Sequence, residues 1–401
     1  MAILVKNCRL IDGVSEQPRD EVDVLVEGRT ISRIGVDLAP PIDGRVIDAS
    51  DKTLLPGLID VHVHLTFDGS LDPVGHLVGE SPYVTLLKAA RNAAITLRRG
   101  VTTVRDLGGP SGIPYALRDS VRAGIAPGPR ILTSGQVITS TGGHCYFMGH
   151  EADDPASVRH SARLEMKAGA DVVKIMATGG SLTPGCPADL VQFSVDEMIP
   201  AVEEAHDHGL KVAAHANALQ GIRNAVEAGV DSIEHGSYTD RELMALMQIK
   251  GTWWVPTMTP ALVILEGPGS ALISSERKAS AGKNWVARRN AVVEGIRMGL
   301  RFASGTDAGV TLTDHGLVSM EVEAFHALGM PAMQAIWTAT RWAAELLGVD
   351  GLVGTVAEGK TADLIVVDGD PLADLSRLRA PLLVIHDGAV VEGCAPAWPN
   401  V

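Results

Sequence analysis

Cysteine is scarce and widely scattered: the four, Cys8, Cys145, Cys186 and Cys394, never form a Cys-x-x-Cys in 401 residues. That pattern excludes a disulfide framework and a paired-thiolate zinc site, and it fits reduced thiols in a reducing compartment. Long hydrophobic runs are missing too. No stretch reaches the roughly 18 apolar residues of a membrane helix, and Met1–Lys6 lacks a charged region followed by an apolar one, so the expected location is cytoplasmic. Positive charge is in deficit: 34 Lys and Arg against 48 Asp and Glu leave a net charge of −14. Nucleic acid and anionic membrane, which both need a basic surface, are therefore excluded as expected partners.

What is present describes a compact enzyme-like chain, with 46% hydrophobic and 20% charged residues and 43 glycines. The length permits one large α/β barrel or two to three ordinary domains. Residues 3–55 alternate in short runs, Ile3–Ile11, Val22–Val26, Thr30–Ile34 and Val46–Asp48, broken by Asp12-Gly13, Glu27-Gly28 and Pro40-Pro41. A matching block, Leu364–Val367, Pro381–His386 and Ala389–Val391, closes the chain. The two blocks predict a small β-sandwich domain built from both termini, spanning 1–55 plus 355–401.

Between them a unit repeats: a helical stretch ending in glycine, then a short apolar strand ending in a polar residue. The glycines are Gly100, Gly124, Gly169, Gly209, Gly229, Gly251 and Gly299, where a left-handed residue would end each helix. Ser194 and Glu197 form a capping box ahead of a helix predicted over 196–208. Strands are predicted over 101–105, 130–134, 171–175, 211–215, 231–235, 252–256 and 301–304, and the opening strand through His64 makes eight. The fold class is therefore α/β, with a (β/α)8 TIM barrel over 56–354. A doubly wound open sheet is the structural alternative, but no Gly-x-Gly-x-x-Gly follows an early strand.

Chemistry on such a barrel sits at the C-terminal ends of the strands. There the chain places His62 and His64, on one side of the first strand by its period of two, then Lys174, His215, Glu234-His235 and Ser304-Gly-Thr-Asp307. Singly, each could be a core histidine satisfied by a carbonyl, a snorkelling lysine or a helix-capping aspartate. Gathered at the ends of five strands of one barrel, they read as a metal site.

The order His-x-His, Lys, His, His, Asp resembles the amidohydrolase superfamily. Pro56-Gly-Leu-Ile-Asp-Val-His-Val-His64, Ala177-Thr-Gly-Gly180, Glu234-His-Gly236, Gly305-Thr-Asp-Ala308 and Gly359-Lys-Thr-Ala-Asp-Leu364 are similar to its imidazolonepropionase-related branch. That branch includes metal-dependent Xaa-Pro dipeptidases, Lys/Arg carboxypeptidases and ochratoxin-type amidases. The resemblance covers essentially the whole chain. It implies two divalent metal ions, usually zinc, with His62, His64 and Asp307 on the buried one and His215 and His235 on the outer one. Lys174 would bridge them as a carbamate formed with CO2. A free lysine, with a pKa of about 10.4, is a poor ligand, whereas a carbamate offers two oxygens. Two metals about 3.5–4 Å apart can share a hydroxide and polarise a carbonyl, with Asp307 as general base and then acid.

Related deaminases carry a glutamate after the strand-five histidine, but here the wording is His215-Ala-Asn-Ala218, which speaks against ring deamination. Imidazolonepropionase lacks the strand-four lysine, so Lys174 points to peptide and amide hydrolases. By the same resemblance His144 would meet the scissile carbonyl and Tyr238 the substrate's carboxylate. Arg105 and Asp106 are expected to form a structural pair under the site. The connections 66–82, 179–193 and 257–270 are long enough to shape a pocket. His76, His150, His315 and Trp253-Trp254 near them are read as packing or solvated residues, and Cys145 and Cys186 as incidental small ones.

The expected function is a binuclear hydrolase of dipeptides or N-acyl amino acids, a small-molecule substrate with an amide bond and a free carboxylate. An aryl amide, carbamate or lactone hydrolase acting on xenobiotics is the alternative, and a non-catalytic scaffold the remaining one. His and carboxylate ligands suit zinc, manganese, cobalt and iron alike. Relatives commonly assemble, so a homo-oligomer is expected.

Overall fold

Alternating burial along the terminal strands gives them one face for a core, and in the computed structural model, which describes residues 2–393, they meet in one sheet. Cys394 and the end of the expected terminal domain, 394–401, lie outside the described residues. The sheet runs Ala389–Val390, Leu383–His386, Leu364–Asp368, Lys52–Pro56, Ala2–Leu10, Arg19–Glu27, Thr30–Gly35, and Gly44–Asp48 also pairs with Ala2–Leu10. Ala2–Leu10 is antiparallel to Arg19–Glu27 and parallel to Gly44–Asp48, so the sheet is mixed. Val22, Val24 and Val26 fall on one face and pack with Ile3, Val5, Val366 and Ile385.

The middle of the chain obeys a different rule. Val172–Met176 and Ser232–His235 are buried at every position, as strands covered on both faces must be. They belong to a six-stranded sheet ordered Gly149–Glu151, Val137–Thr139, Val172–Met176, Lys211–Ala216, Ser232–His235, Trp253–Val255, with every pairing parallel. A three-stranded sheet holds Leu58–Val63, Val101–Asp106 and Arg130–Thr133. The helices Pro155–Ala168, Leu219–Ala228 and Arg241–Lys250 end at Gly169, Gly229 and Gly251 in the left-handed region. Ser194 and Glu197 close their capping box at the start of Val195–Asp207, one residue before the expected place.

Two departures are instructive. The apolar run expected as one opening strand breaks at Gly57, and its first part, Lys52–Pro56, joins the terminal sheet. A β-carbon on Gly57 would fall 2.5 Å from Thr102 Cγ2, so only glycine lets the chain pass there. The strand expected over 301–304 is reduced to a bridge between Trp254 and Phe302. Its backbone still bonds on both sides: Trp254 N–H donates to Arg301 O and Ala303 N–H to Trp254 O, while Val61 N–H donates to Ser304 O and Asp307 N–H to His62 O.

The chain divides into two compact units: the described parts of Met1–Asp60, Ala94–Thr103 and Gly316–Val401, and Val61–Ala93 with Val104–His315. Every residue singled out above for chemistry lies in the second. Among the described residues, no helix is long and apolar enough to cross a membrane.

Candidate metal centre

His62, His64, His144, Lys174, His215, His235 and Asp307 line one cavity of about 170 Å³ in the second unit. The strand periodicity turns His62 and His64 inward, their ring centroids 5.4 Å apart, with the rings of His62 and His235 at 5.1 Å and of His215 and His235 at 4.5 Å. Asp307 Oδ1 lies 3.5 Å from His62 Nε2 and 3.4 Å from His64 Nε2. His62, His235 and Asp307 offer ligand atoms within 4.8 Å of one another.

Each of the four histidines has one nitrogen engaged away from the others. His62 Nδ1 meets Glu234 Oε2 at 2.7 Å, His64 Nδ1 meets Gly108 O at 3.0 Å, and His215 Nε2 meets Gly179 O at 2.9 Å. His235 Nδ1 lies 2.6 Å from Thr257 Oγ1, which gives its own proton to Pro256 O and so accepts from the ring. These acceptors hold the ring N–H outside the cluster and leave the other nitrogen's lone pair for a ligand, as in metal sites whose histidines are oriented by outer partners. Burial first, and Lys174 after it, brings His62 down to about 4. Burial likewise brings His64 to about 4 and pushes His215 and His235 well below the ordinary histidine value. They are neutral imidazoles, the form that binds metal.

Lys174 Nζ is buried and has no hydrogen-bond partner among the described residues. Burial lowers its ammonium to about 8, which leaves part of it as free amine near neutral pH. An orphaned buried amine among four neutral imidazoles and a carboxylate fits a pair of divalent cations with a carbamylated lysine between them. Strain marks the same place. His235 (φ 69°) and Asp307 (φ 55°) hold left-handed backbones that non-glycine residues rarely adopt.

Beneath the cluster, Glu234 is fully buried and paired with Arg105 at 2.8 Å. Arg105 also donates to Val61 O and Ser232 Oγ. Burial pushes the Glu234 carboxyl up, but Arg105 and the His62 hydrogen bond hold it down to about 2. The expected Arg105–Asp106 pair is thus replaced, because successive strand residues point to opposite sides. Asp106 instead accepts from the backbone N–H groups of Leu65 and Gly108, and burial raises it to about 7.

His144 reaches the cavity on a loop, its Nδ1 3.2 Å from Thr183 Oγ1 and its ring 4.5 Å from that of His215. Tyr238 does not line the cavity. It is 38% exposed and donates to Oδ1 of Asn284, which does line it. His76, His150 and His315 are engaged elsewhere, with Asp68, Glu165 and Phe67 O. Asp68, His76 and Glu80 form a second acidic group, but Lys88 already bridges both of its carboxylates. Cys145 lines the cavity, with its thiol pushed up by burial.

Sequence reasoning missed a whole wall. The helix Ser275–Met298 brings Arg277, Ala281, Asn284, Trp285 and Arg288 to the cavity. Their spacing of three and four was readable, yet a helix this rich in charge looks like a solvated face.

An α/β chain with parallel sheets and a buried cluster of histidines, a lysine and a carboxylate at its strand ends has the make-up of a metal-dependent hydrolase. Residues 53–391 match the amidohydrolase family, and the chain belongs to it. A solved Xaa-Pro dipeptidase with methionine in its active site superposes with a TM-score of 0.89 at 33% identity, covering 98% of this chain and 100% of that one. Ochratoxinase of Aspergillus niger is 30% identical over 366 residues, 83% of this chain and 74% of that protein. Imidazolonepropionase of Halobacterium salinarum is 27% identical over 392 residues, 86% of this chain and 84% of that protein. The chain is a metal-dependent amidohydrolase enzyme.

Proposed function

We propose that this enzyme hydrolyses the amide bond of dipeptides or N-acyl amino acids that carry a free carboxylate. The observation that carries the reading is the convergence of four neutral histidines, Asp307 and the orphaned Lys174 amine on one cavity. In this reading His62, His64 and Asp307 would hold an inner divalent ion and His215 and His235 an outer one, zinc being the first candidate. Lys174 Nζ, once added to CO2 with loss of a proton, would offer its two carbamate oxygens to these ions. Such a metal pair supplies an acidified water and polarises a carbonyl. Asp307 takes the proton from the attacking water and delivers it to the leaving amine. His144 orients the scissile carbonyl, and Tyr238 acts on the carboxylate through Asn284.

The walls support a substrate with an anionic end and an apolar body. Arg277 donates to Thr311 Oγ1 at 2.7 Å and pairs with no carboxylate among the described residues. Leu182, Pro260, Ala261, Ile264 and Trp285 supply the apolar surface. The same surface would accept an aryl amide, carbamate or lactone.

We also read the parallel strands as one (β/α)8 barrel over 56–354, with a small β-sandwich domain of 1–55 and 355–401. The two-sided bonding of residues 301–307, described above, supports closure. So do the bonds from Leu107 N–H to Val63 O, Ser134 N–H to Asp106 O and Asp171 N–H to Thr133 O.

The test is turnover by protein supplied with zinc and bicarbonate, offered N-acyl amino acids and dipeptides beside aryl amides and lactones. Cleavage of the first group is expected. Cleavage of the second group alone, or of neither, overturns the reading.

A further inference from the structure

We propose that Arg288 is a positioning residue that holds the outer histidine His235 in register from a helix contributing no ligand. The inference rests on the two-metal reading above.

Arg288 approaches from the helix Ser275–Met298 and divides its fork between two short chains of hydrogen bonds. On one side Nη1 donates to Thr257 O at 2.6 Å, fixing the residue whose Oγ1 accepts from His235 Nδ1 at 2.6 Å. On the other, Nη2 and Nε reach Ser237 Oγ at 2.8 and 3.2 Å, and Ser237 donates to Asn217 Oδ1 at 2.7 Å. The Asn217 amide lies beside His215, its Nδ2 3.3 Å from Nε2, but that nitrogen already gives its proton to Gly179 O, so this branch packs against the ring without bonding it. A guanidinium has donors and no acceptor, so Ser237 must turn its lone pairs to Arg288 and its single proton to Asn217. One side chain thereby orders the Ser237–Asn217 pair beside His215, and anchors the threonine that orients His235. No lysine could serve both chains at once, because its single nitrogen lacks the planar fork.

The inner pair has other supports. His62 leans on Glu234 and His64 on Gly108 O, and neither support is bonded to Arg288 in this network. The consequence is selective: loss of Arg288 should loosen the outer ion and spare the inner one. Outer partners of metal ligands are worth about 10- to 100-fold in affinity.

The test is zinc titration of the full chain in bicarbonate, against a chromogenic chelator, for wild type, Arg288→Met and Arg288→Lys. Wild type should take two ions. Arg288→Met should keep one ion at wild-type affinity and bind the second about 10- to 100-fold more weakly, with ethylguanidine restoring part of the loss. Arg288→Lys should weaken the second ion too, and decides the matter if Arg288→Met does not fold. Two ions at wild-type affinity in the variants would overturn the inference while leaving the two-metal reading standing. Equal weakening of both ions without rescue would mark Arg288 as merely structural and overturn it as well. A wild type that takes fewer than two ions overturns the two-metal reading and this inference together.

Discussion

Asp307 carries two jobs that a single substitution can separate. Its Oδ1 sits within 3.5 Å of both His62 Nε2 and His64 Nε2, and its left-handed backbone holds it there. Asp307→Asn keeps an oxygen for the ion but cannot take a proton, so metal content should stay near wild type while kcat falls about 10²- to 10⁴-fold. Normal turnover in that variant would remove Asp307 from the proton path. Glu234 tests the layer beneath. Its carboxyl is held at about 2, far below the unfolded value, so it adds stability that is fully present above pH 4.5 and lost as pH falls through 2. Glu234→Gln leaves Arg105 buried without its counter-ion and should cost up to ~3 kcal/mol at pH 7. Denaturant melts should show the gap between variant and wild type narrowing from pH 4.5 downward. These two residues also differ in how they could be read beforehand. Asp307 stands in a recognisable Gly-Thr-Asp-Ala, whereas Glu234 looked like part of a motif and its partner Arg105 was assigned to Asp106, since pairing across strands is a tertiary fact.

Elements divide along the same line. The repeating helix–glycine–strand units were legible because the left-handed cap needs glycine at Gly169, Gly229 and Gly251 and because buried parallel strands are apolar throughout. The loop 179–193 was legible only as long. Its Gly180 lies against His144, and an added β-carbon would sit 2.5 Å from His144 Cε1. Gly180→Ala should therefore displace the imidazole, leave metal content intact and lower kcat/KM about 10²-fold, the cost of roughly an ångström of misplacement. The helix Ser275–Met298 was not read as part of the site at all, since its spacing shows which residues share a face but not what that face meets. Arg277 is its prediction. Arg277→Leu should lower kcat/KM about ten- to a hundredfold toward an N-acyl amino acid, the worth of one charge-assisted hydrogen bond, and leave its methyl ester unchanged. Equal loss on acid and ester would take Arg277 out of substrate recognition.

At the scale of the molecule, alternation at both ends and continuous apolar strands between them are enough to separate a terminal sheet from a parallel one. The boundary was less legible. The run from Leu55 to His64 is apolar on both sides of Gly57, and nothing in its composition says that Lys52–Pro56 pairs with Leu364–Asp368. That division has a thermodynamic consequence, because every proposed ligand lies in the second unit. Each of the two ions, bound at a thousand times its dissociation constant, would stabilise the folded form by about 4.1 kcal/mol, at ~2–4 °C in Tm per kcal/mol for a unit of this size. Stripping both ions with a chelator should thus lower the melting temperature by roughly 16–33 °C. Amide exchange should quicken in Val172–Met176, Lys211–Ala216 and Ser232–His235, whose ends carry the ligands, and stay as it was in Ala2–Leu10 and Leu364–Asp368. Exchange that rises alike in both sheets would show that the ions stabilise the chain as a whole rather than the unit that holds them.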